Sequence, residues 1–233
     1  MACSYYAIIL NMQFDVITLF PDFIKSYCQF GIIGRAYKEE KIKLNTVDLR
    51  QFGLGKHKQV DDLSYGGGVG LILMVEPLFN ALKKIPKKEK SKILITSASG
   101  KKWDQDFANK LKNEEQIIII CGRYEGYDER VLNIIDHEIC LGDFILTGGE
   151  LCALAVIDSV SRLVQGVLRK EETLEEESFK GGCLEYPQYT RPNEFNSWKV
   201  PDILLSGHHA EIKKWREEQA KEKTRKNRPD LVK

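Results

Sequence analysis

Residues 117–121 read IIIIC, five apolar positions in a row with no polar alternation. Such a run suits a strand buried on both faces, and strands of that kind belong to parallel sheets covered by helices on either side. The run ends at Gly122, and the nine residues GRYEGYDER that follow hold two arginines, two glutamates, an aspartate and two tyrosines. Binding residues concentrate on loops carried by a rigid scaffold, and in open α/β sheets ligands sit beyond the carboxyl ends of the strands. A second run, residues 138–146, reads as a short strand broken at Gly142 and Asp143 and closed by a Thr147-Gly148-Gly149 turn. Gly122, Gly126, Gly142, Gly148 and Gly149 would let backbone approach a ligand closely. The same glycines also suit plain left-handed turns, and these residues alone leave both readings open.

The rest of the chain supplies a scaffold for that region. Strand patterns at 14–20, 41–49 and 92–97 alternate with helical patterns at 21–38, 78–85 and 103–111, with Pro77 in the first turn of the second helix. This alternation predicts βαβ units, and 42% apolar content over 233 residues supports a proper core in one or two domains. After Glu150 a helix is predicted to run to about Leu168, apolar on more than one face, which is more apolar surface than one small sheet covers. Arg162 interrupts it and must sit at the helix edge or be paired. Residues 169–182 are acidic and polar, end in Gly181-Gly182 and read as a linker to a second, helical unit.

Charge is local. The whole chain carries a formal +1, which argues against nonspecific polyanion affinity, but residues 210–233 hold nine basic and five acidic side chains. With Ile212 and Trp215 as an apolar face and Tyr186, Tyr189, His208 and His209 nearby in sequence, this segment suits either an RNA backbone or a solvated helix face. The glycine-rich loop 60–71 lacks the lysine and hydroxyl of a P-loop, so it is a weak phosphate motif or a structural loop. Six cysteines, at 3, 28, 121, 140, 152 and 183, show no CxxC spacing and predict reduced thiols and a cytoplasmic protein. No apolar run approaches the ~18 residues of a membrane span, residues 1–11 lack the features of an export signal, and Met12 is an alternative start.

CGRYEGYDERV, LGDFILTGGE and IDSVSRLVQGVL resemble the bacterial tRNA (guanine-N(1))-methyltransferases of the TrmD type, in the SPOUT superfamily, and the resemblance runs from about Met12 to the C-terminus. It implies an α/β fold, a parallel sheet covered by helices with a C-terminal deep trefoil knot, plus a small helical C-terminal domain. Knots are too rare to predict from pattern. The implied division is an extension at 1–11, a knotted methyltransferase domain at 12–168, a flexible linker at 169–182 and a tRNA-binding domain at 183–233. The implied activity is methyl transfer from S-adenosylmethionine to N(1) of guanine 37 of tRNA, by a homodimer whose active site is shared between subunits. The matching cofactor-binding positions are Ala98, Gly122, Tyr124, Gly126, Leu141, Gly142, Phe144, Leu146, Gly148 and Gly149. Magnesium is also implied, with Glu125 as its carboxylate. Arg162 matches the catalytic arginine, and Glu177 stands where the family has its catalytic aspartate before Ser-Phe.

That chemistry needs a base for the guanine N(1) proton and a cation for the charge that spreads to O6. The sequence departs from the family pattern at Leu63, Ser64, Val69, Ala98 and Glu177. If Glu177 is not the base, its neighbour Glu176 is the first alternative, and Asp143, Glu125 and Asp61 follow. A ribose 2′-O-methyltransferase of the same superfamily and a noncatalytic RNA-binding module are the competing readings.

Overall fold

The computed structural model describes residues 11–169 and 177–232, and divides into two compact units, Met1–Arg169 and Lys170–Lys233. The predicted extension and the first part of the predicted linker, residues 170–176, lie largely outside the described residues.

The first unit is built on a five-stranded, fully parallel sheet. In chain order it comprises β1 (Met12–Thr18), α1 (Pro21–Tyr27), α2 (Gly31–Lys38), β2 (Ile42–Asp48), β3 (Asp61–Asp62), β4 (Ile72–Leu73), α3 (Val75–Lys84), β5 (Ser91–Lys102), α4 (Gln105–Leu111), β6 (Gln116–Ile120), β7 (His137–Cys140) and α5 (Glu150–Ser161). The sheet order is β2-β1-β6-β5-β7, and β3 and β4 form a small separate antiparallel pair. The isoleucine run is the central strand β6, and every residue of it is buried. Alternate side chains serve opposite layers. Ile117 and Ile119 join the core beneath α1, α2, α4 and α5, while Ile118 and Ile120 join the core beneath α3.

Three predicted boundaries are corrected. The helix predicted over 21–38 is two helices, because the chain turns at Gly31, which has φ of +63°, and Gln29 crosses so close to Gly34 that a Cβ there would lie 2.3 Å from the Gln29 carbonyl. The helix predicted to reach Leu168 ends at Ser161 with Arg162 as its C-cap. Val164 and Val167 are buried nonetheless, folded back by a turn around Gly166 (φ +77°), so apolar spacing continued where the helix did not. The strand predicted over 92–97 does not end there but runs to Lys102 as β5, with a bulge. Thr96 and Lys101 both pair with Ile139, and residues 97–100 are pushed out between them.

The second unit contains β8 (Glu194–Phe195), β9 (Trp198–Lys199), α6 (Asp202–Leu205) and α7 (His209–Asn227). Its long helix is polar nearly all round, with Thr224 as its buried residue. The Thr224 hydroxyl accepts from Leu184 N–H at 2.8 Å and donates to the Ala220 carbonyl at 2.6 Å, tying the start of the unit to α7.

Candidate active site

The carboxyl ends of β5, β6 and β7 are neighbours in the sheet, and the segments that leave them enclose a cleft of about 410 Å³. That volume falls in the range of small-molecule and cofactor sites. All ten residues expected to bind the cofactor line it, together with Glu125. The sequence marked the strand ends; the sheet order brings them together.

The loops are seated on one another by backbone. Gly149 N–H donates to the Gly122 carbonyl at 2.8 Å, and Gly122 N–H donates to Thr96 Oγ1 at 2.8 Å. A Cβ at Gly149 would lie 1.8 Å from Thr96 Oγ1, and one at Gly122 would lie 2.4 Å from the Thr96 carbonyl. Glycine is required at both positions for close approach of loop to loop.

A side-chain strap lies behind this contact. Glu150, in the first turn of α5, is buried and accepts from Thr18 Oγ1 at 2.8 Å and from Arg123 Nε at 3.3 Å. Its other oxygen lies 2.8 Å from Arg123 Nη2, a charge contact off the line of a hydrogen bond. Arg123 Nη1 also donates to the Thr147 carbonyl at 2.9 Å, and its guanidinium stacks over Phe20. One arginine thus joins the loop after β6 to the loop after β7 and neutralises a buried carboxylate. Sequence reasoning assigned this pair no role. Its signal was a glutamate opening an otherwise apolar helix, which must find a cation.

Two lining residues, Ser99 and Tyr127, are tied together behind the cleft: Glu138 accepts from Ser99 Oγ and from Tyr127 Oη, both at 2.5 Å. Desolvation alone would raise the Glu138 carboxyl, but hydrogen bonds from Ser99, Tyr127 and Ser97 outweigh it and hold the group below the usual carboxylate range. Burial, then the bond to Glu138, pushes the Tyr127 phenol well up. Tyr124 is raised mainly by burial and next by Asp61, which sits at the foot of the glycine loop. That loop leaves Tyr65 and Val69 almost fully exposed.

The expected catalytic pair is not part of this lining. Arg162, at the far end of α5 from Gly149, lines a second groove with Tyr27, Phe30, Asp158 and Leu168. Glu177 belongs to the second unit, at the entry to a turn in which Phe179 N–H donates to the Cys183 carbonyl at 2.7 Å. Among the described residues no group of three or more His, Cys, Asp or Glu forms a metal site. Glu125 is a single exposed carboxylate, which does not fit a magnesium ion held by protein ligands alone. No helix among the described residues is long and apolar enough to cross a membrane.

A family model described as tRNA (Guanine-1)-methyltransferase TrmD matches residues 12–233. The chain belongs to this family. Relatives named tRNA (guanine-N(1)-)-methyltransferase include one from Trichodesmium erythraeum, 50% identical over 223 residues, covering 95% of this chain and 98% of that protein. One from Mycoplasma mycoides subsp. mycoides is 52% identical over 222 residues, and one from Clostridium botulinum 48% over 222, each covering 95% of this chain and 92% of its own length. Membership in the TrmD family implies S-adenosylmethionine as methyl donor. The cleft fits it, since glycine-lined backbone comes from three strand ends, and Leu141, Phe144 and Leu146 supply apolar surface for a flat base.

Proposed function

We propose that the protein transfers a methyl group from S-adenosylmethionine to N(1) of guanine 37 of tRNA. The observation that carries this reading is the convergence of all ten expected cofactor positions on one cleft, in a chain of the TrmD family. The sulfonium of the donor already activates its methyl group, so no protein nucleophile is needed. The cleft orients the donor through backbone, held by the Arg123–Glu150 strap. Glu177 accepts the guanine N(1) proton and so frees the nitrogen lone pair. Arg162 stabilises the negative charge that spreads to O6, a role that commonly contributes a few kcal/mol.

The active protein would be a homodimer. α5 has 12 residues, so its two ends are separated by about 18 Å, and an arginine at one end is badly placed to serve a cleft at the other. Arg162 of a second subunit would serve instead. The exposed side chains of Phe23, Tyr27, Phe30, Ile32 and Leu151 give α1, α2 and α5 an apolar face suited to such pairing. A trefoil knot over the C-terminal part of the first unit is supported by the route of the chain. It leaves β7 at the sheet edge, returns through the Gly149–Gly122 contact and packs α5 on β1, α1 and α2. The second unit, after the linker, would be the tRNA-binding domain, and the protein would work in the cytoplasm. A magnesium ion at Glu125, which the family resemblance also implies, would need water or substrate oxygens to complete its ligands.

Methylation of an unmodified transcript with guanine at position 37 should yield 1-methylguanosine on nucleoside analysis, and a transcript with adenosine there should yield none. A 2′-O-methylated nucleoside would favour the ribose enzyme. Donor binding without transfer to any tRNA would leave only a binding module.

A further inference from the structure

Two walls of the cleft, the bulge of β5 and the loop after β6, are held by different means. The loop is fixed from β4 by backbone: Leu73 N–H donates to the Gly126 carbonyl at 2.9 Å, Asp128 N–H to the Leu73 carbonyl at 2.9 Å and Glu125 N–H to the Leu71 carbonyl at 3.0 Å. Tyr127, in the same loop, packs against the core beneath α3. The bulge steps out of the ladder, because Thr96 and Lys101 take the same residue of β7. Side chains set its shape instead. Ser99 N–H donates to Ser97 Oγ at 3.2 Å, the two serine hydroxyls lie 2.9 Å apart, and Ser99 Oγ donates to Glu138 Oε1 at 2.5 Å. The same Glu138 oxygen accepts from Tyr127 Oη at 2.5 Å. An ionised carboxylate can only accept, so both hydroxyls point their protons at it. With its proton committed to Glu138, the Ser99 oxygen accepts from Ser97, whose own oxygen accepts from the Ser99 amide.

We propose that Glu138 is a positioning residue for donor binding: it clasps Ser99 of the β5 bulge to Tyr127 of the loop after β6, so that the two walls stand at a fixed spacing before the donor arrives. Ser97, Ala98, Ser99 and Tyr127 line the cleft and Glu138 does not, so it acts through them without touching the donor. A wall ordered in advance raises affinity, because the ligand no longer bears the entropy of ordering it. This role rests on the reading of the cleft as the S-adenosylmethionine site. Because the clasp leaves Arg162 and Glu177 alone, it acts on binding and not on the transfer step.

The test uses the full-length protein, with S-adenosylmethionine affinity measured by calorimetry and methyl transfer followed separately. Tyr127→Phe and Ser99→Ala each remove one hydroxyl and should weaken donor binding about fivefold, in line with a single hydrogen bond. Glu138→Ala removes both bonds and should weaken it about 25-fold. Glu138→Gln keeps an oxygen that accepts twice and should stay within about fivefold of the wild type. Adding Tyr127→Phe to Glu138→Ala should bring no further loss, since both remove the same contact. In the tRNA reaction these variants should raise KM for the donor and leave kcat within about twofold, a split that general loss of structure would not give. Ser99 is exposed and Tyr127→Phe keeps the ring, so these two variants report even if Glu138→Ala does not fold. Wild-type donor affinity in both would overturn the clasp and leave the donor site standing, as would kcat falling in step with affinity. A wild-type protein that binds no S-adenosylmethionine would overturn both. Donor affinity lost in the variants, in a protein that methylates no tRNA, would uphold the clasp and sink the methyltransferase reading.

Discussion

The two units of the chain solve different problems. In the first, β6 is buried along its whole length and the ligand cleft is made largely of backbone, with glycines where loops must touch. In the second, a 19-residue helix buries only Thr224, and a pocket of about 570 Å³ mixes Arg191, Lys213, Arg216, Tyr186 and Tyr189 with Leu204, Leu205 and Ile212. A small donor molecule needs a rigid, shaped recess, and a large polyanion needs charge presented on a surface. The contrast teaches that neutral composition hides function here. A formal charge of +1 conceals a C-terminal stretch, residues 210–233, that holds nine basic and five acidic side chains.

The sharpest break in the comparison would come from Glu177, a side chain of the second unit assigned to the chemistry of the first. Glu177→Gln should lower the single-turnover methylation rate by about 1000-fold, within the usual range for a general base. Donor and tRNA should still bind, and more tRNA should not rescue the rate. Arg123→Ala comes next. It leaves the Glu150 carboxylate buried and unpaired, which should cost about 3 kcal/mol of stability, read by denaturant unfolding. Because the same arginine straps the cleft loops, donor affinity should fall with it while the tRNA salt slope of the second unit is unchanged. Gly149→Ala forces a Cβ into Thr96, and misplacement of the loop on the ångström scale should weaken donor binding about 100-fold by calorimetry.

The smallest effect concerns thiols. Burial pushes Cys28 up to about 11 and Cys152 up to about 12, and lifts Cys121 well above its ordinary value, so these stay protonated at pH 8. A raised thiol pKa keeps the nucleophilic thiolate scarce until pH rises through that higher value. Mass spectrometry after brief alkylation of the native protein at pH 8 should find Cys183, half-buried in the second unit, modified ahead of those three.

How much of this was legible depended on the kind of signal. The isoleucine run read as an interior strand, and it is one. The polar cluster after it did mark a strand end, and the resemblance located the cleft residues that composition could not. The end of α5 at Ser161 was hidden because Val164 and Val167 keep an apolar rhythm while buried by a turn. The break between α1 and α2 turned on Gly31, which a helical pattern tolerates. The β5 bulge was invisible because register belongs to the pair of strands, and neither sequence alone encodes it. The Arg123–Glu150 strap links residues 27 apart in sequence, and only the return of the chain to β6 makes them neighbours.

Hydrogen exchange of the full-length protein, followed by mass spectrometry, tests the division of labour most directly. Added S-adenosylmethionine should slow exchange in residues 97–99, 122–126 and 141–149 and leave 186–216 unchanged, and added tRNA should then protect 186–216. Protection of 186–216 by the donor alone, or no protection of the three strand-end loops, would contradict the account.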